Sequence, residues 1–204
     1  MKSKYTYIAV GIIVIALLLI SPRFATQKQV ATVPDPTVLQ GMQITEGPWQ
    51  PELAHLRERL QVMGLPALSA EGSALHIHQH LDIFVHGKAL SVPAGIGINE
   101  SAQFISDIHT HDGTGVIHVE SPTIQSFTLG QFSDIWGVQF TATSLGGYTV
   151  DAVNSLKVFV DGKELTGDPR ALVLGEKQEI AIVYGTAQET PKTIPSTYAF
   201  EAGL

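Results

Sequence analysis

Between Leu75 and Glu120 the chain carries two stretches in which histidine alternates with other residues, and that alternation constrains the backbone most strongly. The first reads Leu75-His76-Ile77-His78-Gln79-His80-Leu81-Asp82-Ile83-Phe84-Val85. The second reads Ile108-His109-Thr110-His111, turns through Asp112-Gly113-Thr114-Gly115 and returns as Val116-Ile117-His118-Val119-Glu120. Successive strand residues point to opposite faces, so each run predicts a strand with imidazoles on one face and mostly apolar groups on the other. Seven of the eight histidines lie between His76 and His118. Imidazole is the commonest protein ligand for transition metals, and the pattern reads first as a metal site.

The second run defines its geometry best. If His111 faces Val116 across the turn, His109 lies opposite His118 and Asp107 opposite Glu120. Directly paired residues share a face with Cβ atoms about 4.5–5.5 Å apart. His109, His111 and His118 then form a triangle of nitrogen donors suited to Zn or Cu, with a fourth position open and Glu120 one step along. This depends on an even loop, because a bulge would rotate one arm. In the first run, same-face residues recur every ~6.7 Å, whereas metal–nitrogen bonds are about 2.0–2.1 Å. One ion is therefore not expected to take all of His76, His78 and His80; either one of them stands back or two ions bind. The economical arrangement takes His78 and His80 together with the hairpin, with Asp82 orienting an imidazole through its second nitrogen. His86 reads as a turn residue and His55 as a solvated helix residue.

A lone strand histidine is usually a satisfied polar residue. Two His-x-His patterns with a further histidine at hairpin distance favour metal over that reading. A pH-sensing cluster is the alternative, since aligned imidazoles protonate together unfavourably as pH falls.

The 204 residues include no cysteine and only Met1, Met42 and Met63. That excludes disulfides and thiolate sites and leaves little thioether ligation, so nitrogen and oxygen donors would meet Cu(II) or Zn(II), or else Ni(II) or Fe(II). Lys2 and Lys4 precede an uncharged, largely apolar stretch from Tyr5 to Pro22. Residues 1–23 are expected to form an uncleaved signal anchor or transmembrane helix, with the rest outside the cytoplasm, in the periplasm or at the cell surface. The net charge is −7, and no Lys/Arg cluster marks a nucleic-acid surface. Gly-x-Ser-x-Gly elbows and phosphate-binding glycine loops are absent from the sequence.

Residues 24–50 read as an extracytoplasmic linker, 51–186 as a histidine-rich β domain and 187–204 as a loose tail. A helix is expected over Pro51–Met63, capped by Gly64. A second should start at the capping box Thr128–Gln131 and end near Trp136-Gly137. Strands are expected at 75–86, 88–92, 104–111, 115–121, 138–143, 156–161 and 178–184. The segment Leu81–Leu90 matches Leu156–Leu165 at six of ten positions, which reads as shared hairpin grammar: an apolar strand, then an x-Gly-Lys turn. The expected fold is mainly β (α+β): a compact sandwich or barrel-like domain with two short helices behind a transmembrane anchor.

The motifs Gly64–Leu68, His76–Val85, His109-Thr-His-Asp112, Val116–Ser121, Phe127–Gly130 and Trp136-Gly137 resemble an uncharacterised family of bacterial exported or membrane-anchored proteins. The resemblance spans roughly residues 50–185 and implies location and compactness but no reaction. The double His-x-His also shares ligand chemistry with cupins, copper oxidases and α-carbonic anhydrases. The cupin glutamate and glycine spacing and the copper-oxidase cysteine are both missing, so that likeness stays one of chemistry.

Together these readings predict a membrane-tethered extracytoplasmic protein that sequesters, delivers or senses Cu(II) or Zn(II) through His76, His78, His80, His109, His111 and His118. The alternatives are a metalloenzyme with a three-histidine metal–water centre and Glu120, Asp112 or Asp82 as base, and an interaction domain with a structural metal.

Overall fold

A computed structural model of the chain describes residues 33–204. The segment expected to anchor the protein, residues 1–23, lies outside them. Among the described residues no helix is long and apolar enough to cross a membrane.

The described residues are mainly sheet with two α-helices. Helix α1 (Leu56–Met63) precedes strands β1 (Leu75–Val85), β2 (Lys88–Leu90), β3 (Ile98–Asn99), β4 (Phe104–Ile105), β5 (Ile108–His109) and β6 (Val116–Ser121). Helix α2 (Leu129–Trp136) follows, then β7 (Ser144–Leu145), β8 (Tyr148–Thr149), β9 (Ser155–Val160), β10 (Lys163–Glu164) and β11 (Glu179–Gly185). Seven strands form one sheet in the order β10-β9-β11-β1-β6-β5, with β2 paired to β1. The β1–β11 pairing is parallel and the other pairings in this sheet are antiparallel. Two small hairpins, β3–β4 and β7–β8, stand apart from it. The expected sandwich or barrel is therefore a single seven-stranded sheet with helices packed against it.

Alternation in β1 decides what each face carries. Leu81, Ile83 and Val85 join Ile117, Val119, Ile180 and Ile182 in the main core, beneath Leu56, Leu60 and Met63 of α1 and Leu129, Phe132 and Ile135 of α2. The even-numbered residues of β1 face the other way. There Phe84 packs with Phe159, Ala181, Val183 and Ile194 in a second, smaller cluster, and the histidines occupy the rest.

Both helices have ends written in the sequence. Thr128 and Gln131 form the reciprocal capping box, and Gly137 closes α2 in the left-handed conformation. Gly64 does the same for α1. Helix α1 starts later than expected, at Leu56 and not Pro51, because Glu52 is pinned elsewhere: its amide donates to the Trp136 carbonyl and its own carbonyl accepts from Arg59. The fully buried Arg59 guanidinium also donates to the Asp134 and Ile135 carbonyls, placing a cation at the negative end of α2.

The matched ten-residue segments are equivalent hairpins. His86-Gly87 and Asp161-Gly162 turn with positive φ at both positions (49° and 73°; 51° and 75°), as a type I′ turn requires. Three expectations change. The strand expected over 104–111 divides into β4 and β5, because Ile105 bridges back to Leu68 and the Ser106 amide turns to Gly97. Residues 138–143 make isolated bridges and form no strand. Part of the segment 24–50 is built into the domain: Trp49 is buried against Trp136 and Tyr148, and Gln43 bridges to Val138.

Because α2 is wholly buried and its first turn depends on Thr128, Thr128→Ala should cost about 1 kcal/mol of stability, read as a lower urea midpoint with an unchanged m-value.

Candidate metal centre

The register of three neighbouring strands assembles the histidines. His78 of β1 pairs with His118 of β6, and His118 pairs with His109 of β5. One row of imidazoles thus crosses three strands, at the ~4.8 Å spacing of a sheet. The next row sets His76 opposite Glu120. The His109–His118 pairing across the Asp112–Gly115 turn is the one the sequence predicts. The turn itself is held by the Asp112 carboxylate, which accepts from the Thr114 amide at 2.9 Å.

The rings are in mutual contact. His109 Nε2 lies 3.1 Å from His111 Nε2, and His76 Nε2 lies 3.2 Å from His78 Nε2. The His118 ring stands between these pairs, its centroid 4.5 Å from His111, 4.6 Å from His78 and 5.5 Å from His109. Two ligands on one tetrahedral ion with bonds of about 2.0–2.1 Å sit about 3.3 Å apart, close to both Nε2–Nε2 separations. Glu120 is buried among them, with Oε1 3.2 Å from His76 Nε2 and from His118 Nδ1. Its Oε2 lies 4.0 Å from His109 Nε2. His109, His111, His118 and Glu120 bring ligand atoms within 4.8 Å of one another, as do His76, His78 and Glu120. These clustered groups can hold a metal ion.

The protonation pattern suits that chemistry. His109 Nδ1 lies 3.0 Å from the Ser106 carbonyl, which can only accept, so Nδ1 carries the proton and Nε2 offers its lone pair to the cluster. Burial holds His109 down at about 4. Burial, reinforced by His111, His78 and His109, holds His118 at about 3. Burial and the neighbouring His76 also lower His78. Burial and Glu71 push the Glu120 carboxyl up. His78, His109 and His118 are therefore biased toward the neutral form, the one that ligates.

His80 is diverted from this group. Its Nδ1 lies 2.9 Å from Glu179 Oε2 and its Nε2 2.9 Å from the Thr114 carbonyl, while its ring stacks on Tyr198 at 3.8 Å. Two acceptors on two nitrogens call for the imidazolium. Burial opposes that charge, but the Glu179 bond and charge and the Thr114 carbonyl outweigh it and raise His80 above its ordinary value. The expected His78–His80 pair is thus replaced by His76–His78, because β11 supplies a carboxylate where His80 emerges. Asp82 lies with His80 and Glu179 in a separate group, and Asp112 is spent on its turn. Of the expected proton acceptors, Glu120 alone lies among the five clustered imidazoles. The C-terminal segment expected to be a loose tail supplies Tyr198 and Ile194 to this face.

Glu71 was not foreseen. Its Oε1 approaches His111 Nε2 at 3.4 Å. It arrives there because Gly72 lies flat on the Ser121–Pro122 backbone, where any Cβ would overlap main-chain atoms. The Gly72 amide donates to the Glu120 carbonyl and Ala74 to Ser121, carrying the ladder past the start of β1. An acidic residue five positions before His76, followed by glycine, is the sequence signal that marks it.

Linkage gives these shifts opposite signs. His109 and His118 have folded-state values below the unfolded ~6.5. The unfolded chain protonates first, and their contribution is lost as pH falls from about 6.5 toward 4 and 3. The contribution of His80 is complete below ~6.5 and lost as pH rises through its raised folded value. In the metal-free protein, imidazole 15N shifts should show His118 and His109 still neutral at about pH 5, where an ordinary histidine is protonated. The stability advantage of the wild type over His118→Asn should narrow as pH falls over the same window; a constant gap would contradict the assignment.

No protein-family model matches the chain, and the searches of curated proteins and of solved structures return no match either.

Proposed function

We propose that the protein is a membrane-tethered, extracytoplasmic metal-binding protein that captures, delivers or senses Cu(II) or Zn(II) through His109, His111, His118 and Glu120. The observation that carries this reading is the His109 tautomer. Its Nδ1 is committed to the Ser106 carbonyl, and its Nε2 converges on His111 Nε2 at 3.1 Å. Orienting a ligand imidazole through a backbone carbonyl is the usual support for a metal-bound histidine. The donor set of nitrogen and carboxylate oxygen suits Zn(II) and Cu(II). The tether and the location rest on Lys2, Lys4 and the apolar stretch behind them.

Catalysis at the same centre is the second reading, favoured by the cavities at its rim. One of about 690 Å³ is lined by Gln50, Pro51, Leu53, Gly95, Asn99 and His111. Another of about 350 Å³ includes Glu71, Asn99 and Phe104. A metal-bound water beside His111 would face a space large enough for a small substrate, with Glu120 as proton acceptor.

Elemental analysis of the full-length chain, purified untagged and without chelators, tests the primary reading. We expect at least ~1 equivalent of Zn or Cu, retained on dialysis and lost in His109→Ala/His111→Ala. Failure of the wild type to hold either metal, as purified or on titration, would overturn it.

A further inference from the structure

The donors on this face outnumber what one ion takes. Five imidazoles (His76, His78, His109, His111, His118) and two carboxylates (Glu71, Glu120) converge there, whereas a Zn(II) or Cu(II) site usually takes about four protein or water ligands. They are also divided in space. The His109–His111 pair sits at the β5 edge and the His76–His78 pair on β1, with β6 between them. Each pair already has the Nε2–Nε2 separation of two ligands on one ion, 3.1 and 3.2 Å. Glu120 lies on the intervening strand between the two pairs: Oε1 is 3.2 Å from both His76 Nε2 and His118 Nδ1, and Oε2 is 4.0 Å from His109 Nε2. It belongs to both groups of converging ligand atoms.

We propose that this face holds two metal ions bridged by the Glu120 carboxylate. The inner ion takes His109, His111, His118 and one oxygen of Glu120. The outer ion takes His76, His78 and the other oxygen. Two-metal sites place their ions about 3.5–4 Å apart, a span that one carboxylate bridges through its two oxygens.

The two positions differ in access. The His109 side chain is fully enclosed, whereas that of His76 is 53% exposed. The inner ion has four protein donors and the outer ion three, so the outer position keeps a place for water, a small anion or an incoming donor. The outer ion is therefore the exchangeable one. If the centre hands metal on, it does so there; if it catalyses, the outer position receives the substrate oxygen.

This inference rests on the metal-binding reading above but fails separately from it. The test titrates the full-length, metal-free chain with Cu(II) alone and follows stoichiometry by elemental analysis and coupling by frozen-solution EPR. The wild type should bind about two equivalents, with a half-field transition or a spin count well below the copper bound, as adjacent bridged ions require. His76→Ala/His78→Ala should keep about one equivalent with the spectrum of an isolated Cu(II). Because His78 is buried, His76→Ala provides a variant at a half-exposed position, and it should weaken the second equivalent by about 10-fold or more while sparing the first. A wild type that stops at one equivalent, unchanged in these variants, would remove the outer ion and leave the inner site standing. Two equivalents with magnetically independent spectra would remove the bridge. Binding of no copper by the wild type would remove both readings.

Discussion

The antiparallel register of β1 on β6 is the constraint on which both the core and the histidine cluster depend. It sets His78 opposite His118 and His76 opposite Glu120, and strand alternation carries the same facing on to Leu81, Ile83 and Val85, which enter the core where β1 pairs with β11. Side chains alternate with a period of two, so a slip of one residue would carry all of these to the wrong face. Burying an aliphatic side chain is worth roughly 1.5–3 kcal/mol. Three of them in β1 alone give a penalty comparable to the ~5–15 kcal/mol net stability of a typical domain. The polar cluster is thus positioned by hydrophobic burial on the opposite side of its own strand. Its members need not attract one another to be held together.

That separation of duties matters because the cluster does little to stabilise the fold by itself. Neutral imidazoles at 3.1–3.2 Å can share one proton between each pair, and any further proton adds a like charge beside its neighbours. The depressed values of His109 and His118 show the same cost from the other side. Elsewhere on the sheet the chain resolves such a conflict by pairing. His80, one strand step from His78, obtains Glu179 and the Thr114 carbonyl and becomes a satisfied cation. The clustered histidines instead turn ring nitrogens toward one another, and a divalent cation would accept the lone pairs that face each other there.

What could be read from the sequence follows the range of the forces involved. The two-faced strands, the His109–His118 pairing, the Thr128–Gln131 capping box and the His86-Gly87 turn are each decided within about a dozen residues, and the structure has them. The fate of His80 was not legible, because its partner Glu179 lies 99 residues away and arrives through the parallel pairing of β1 with β11. The choice between His78–His80 and His76–His78 turned on that one carboxylate. Glu71 was missed for a related reason: its placement depends on Gly72 lying against Ser121 and Pro122, a contact between backbones with no pattern of its own. The division of the 104–111 segment is another non-local event, set by the bridge from Ile105 back to Leu68.

The carboxylates give the cluster its direction. Glu120 is buried and its carboxyl is pushed up by burial and by Glu71, an arrangement that disfavours two negative charges until a cation enters. An entering ion would gain from both carboxylates at once, and most where they approach His109, whose Nε2 is already oriented by the bond from Nδ1 to the Ser106 carbonyl. Glu71 reaches this point from the exposed loop before β1, whereas Glu120 reaches it from inside the sheet. An ion arriving from solvent would meet the exposed donors first, His76, His111 and Glu71, all roughly half exposed, and the enclosed ones, His109, His118 and Glu120, afterwards. A ligand bound only by the folded state at 100-fold excess over its dissociation constant adds about 2.7 kcal/mol, a gain set against the cost of holding these groups side by side. Bringing neutral nitrogens and buried carboxylates together without a cation is unfavourable, and a bound ion would turn the same proximity into affinity.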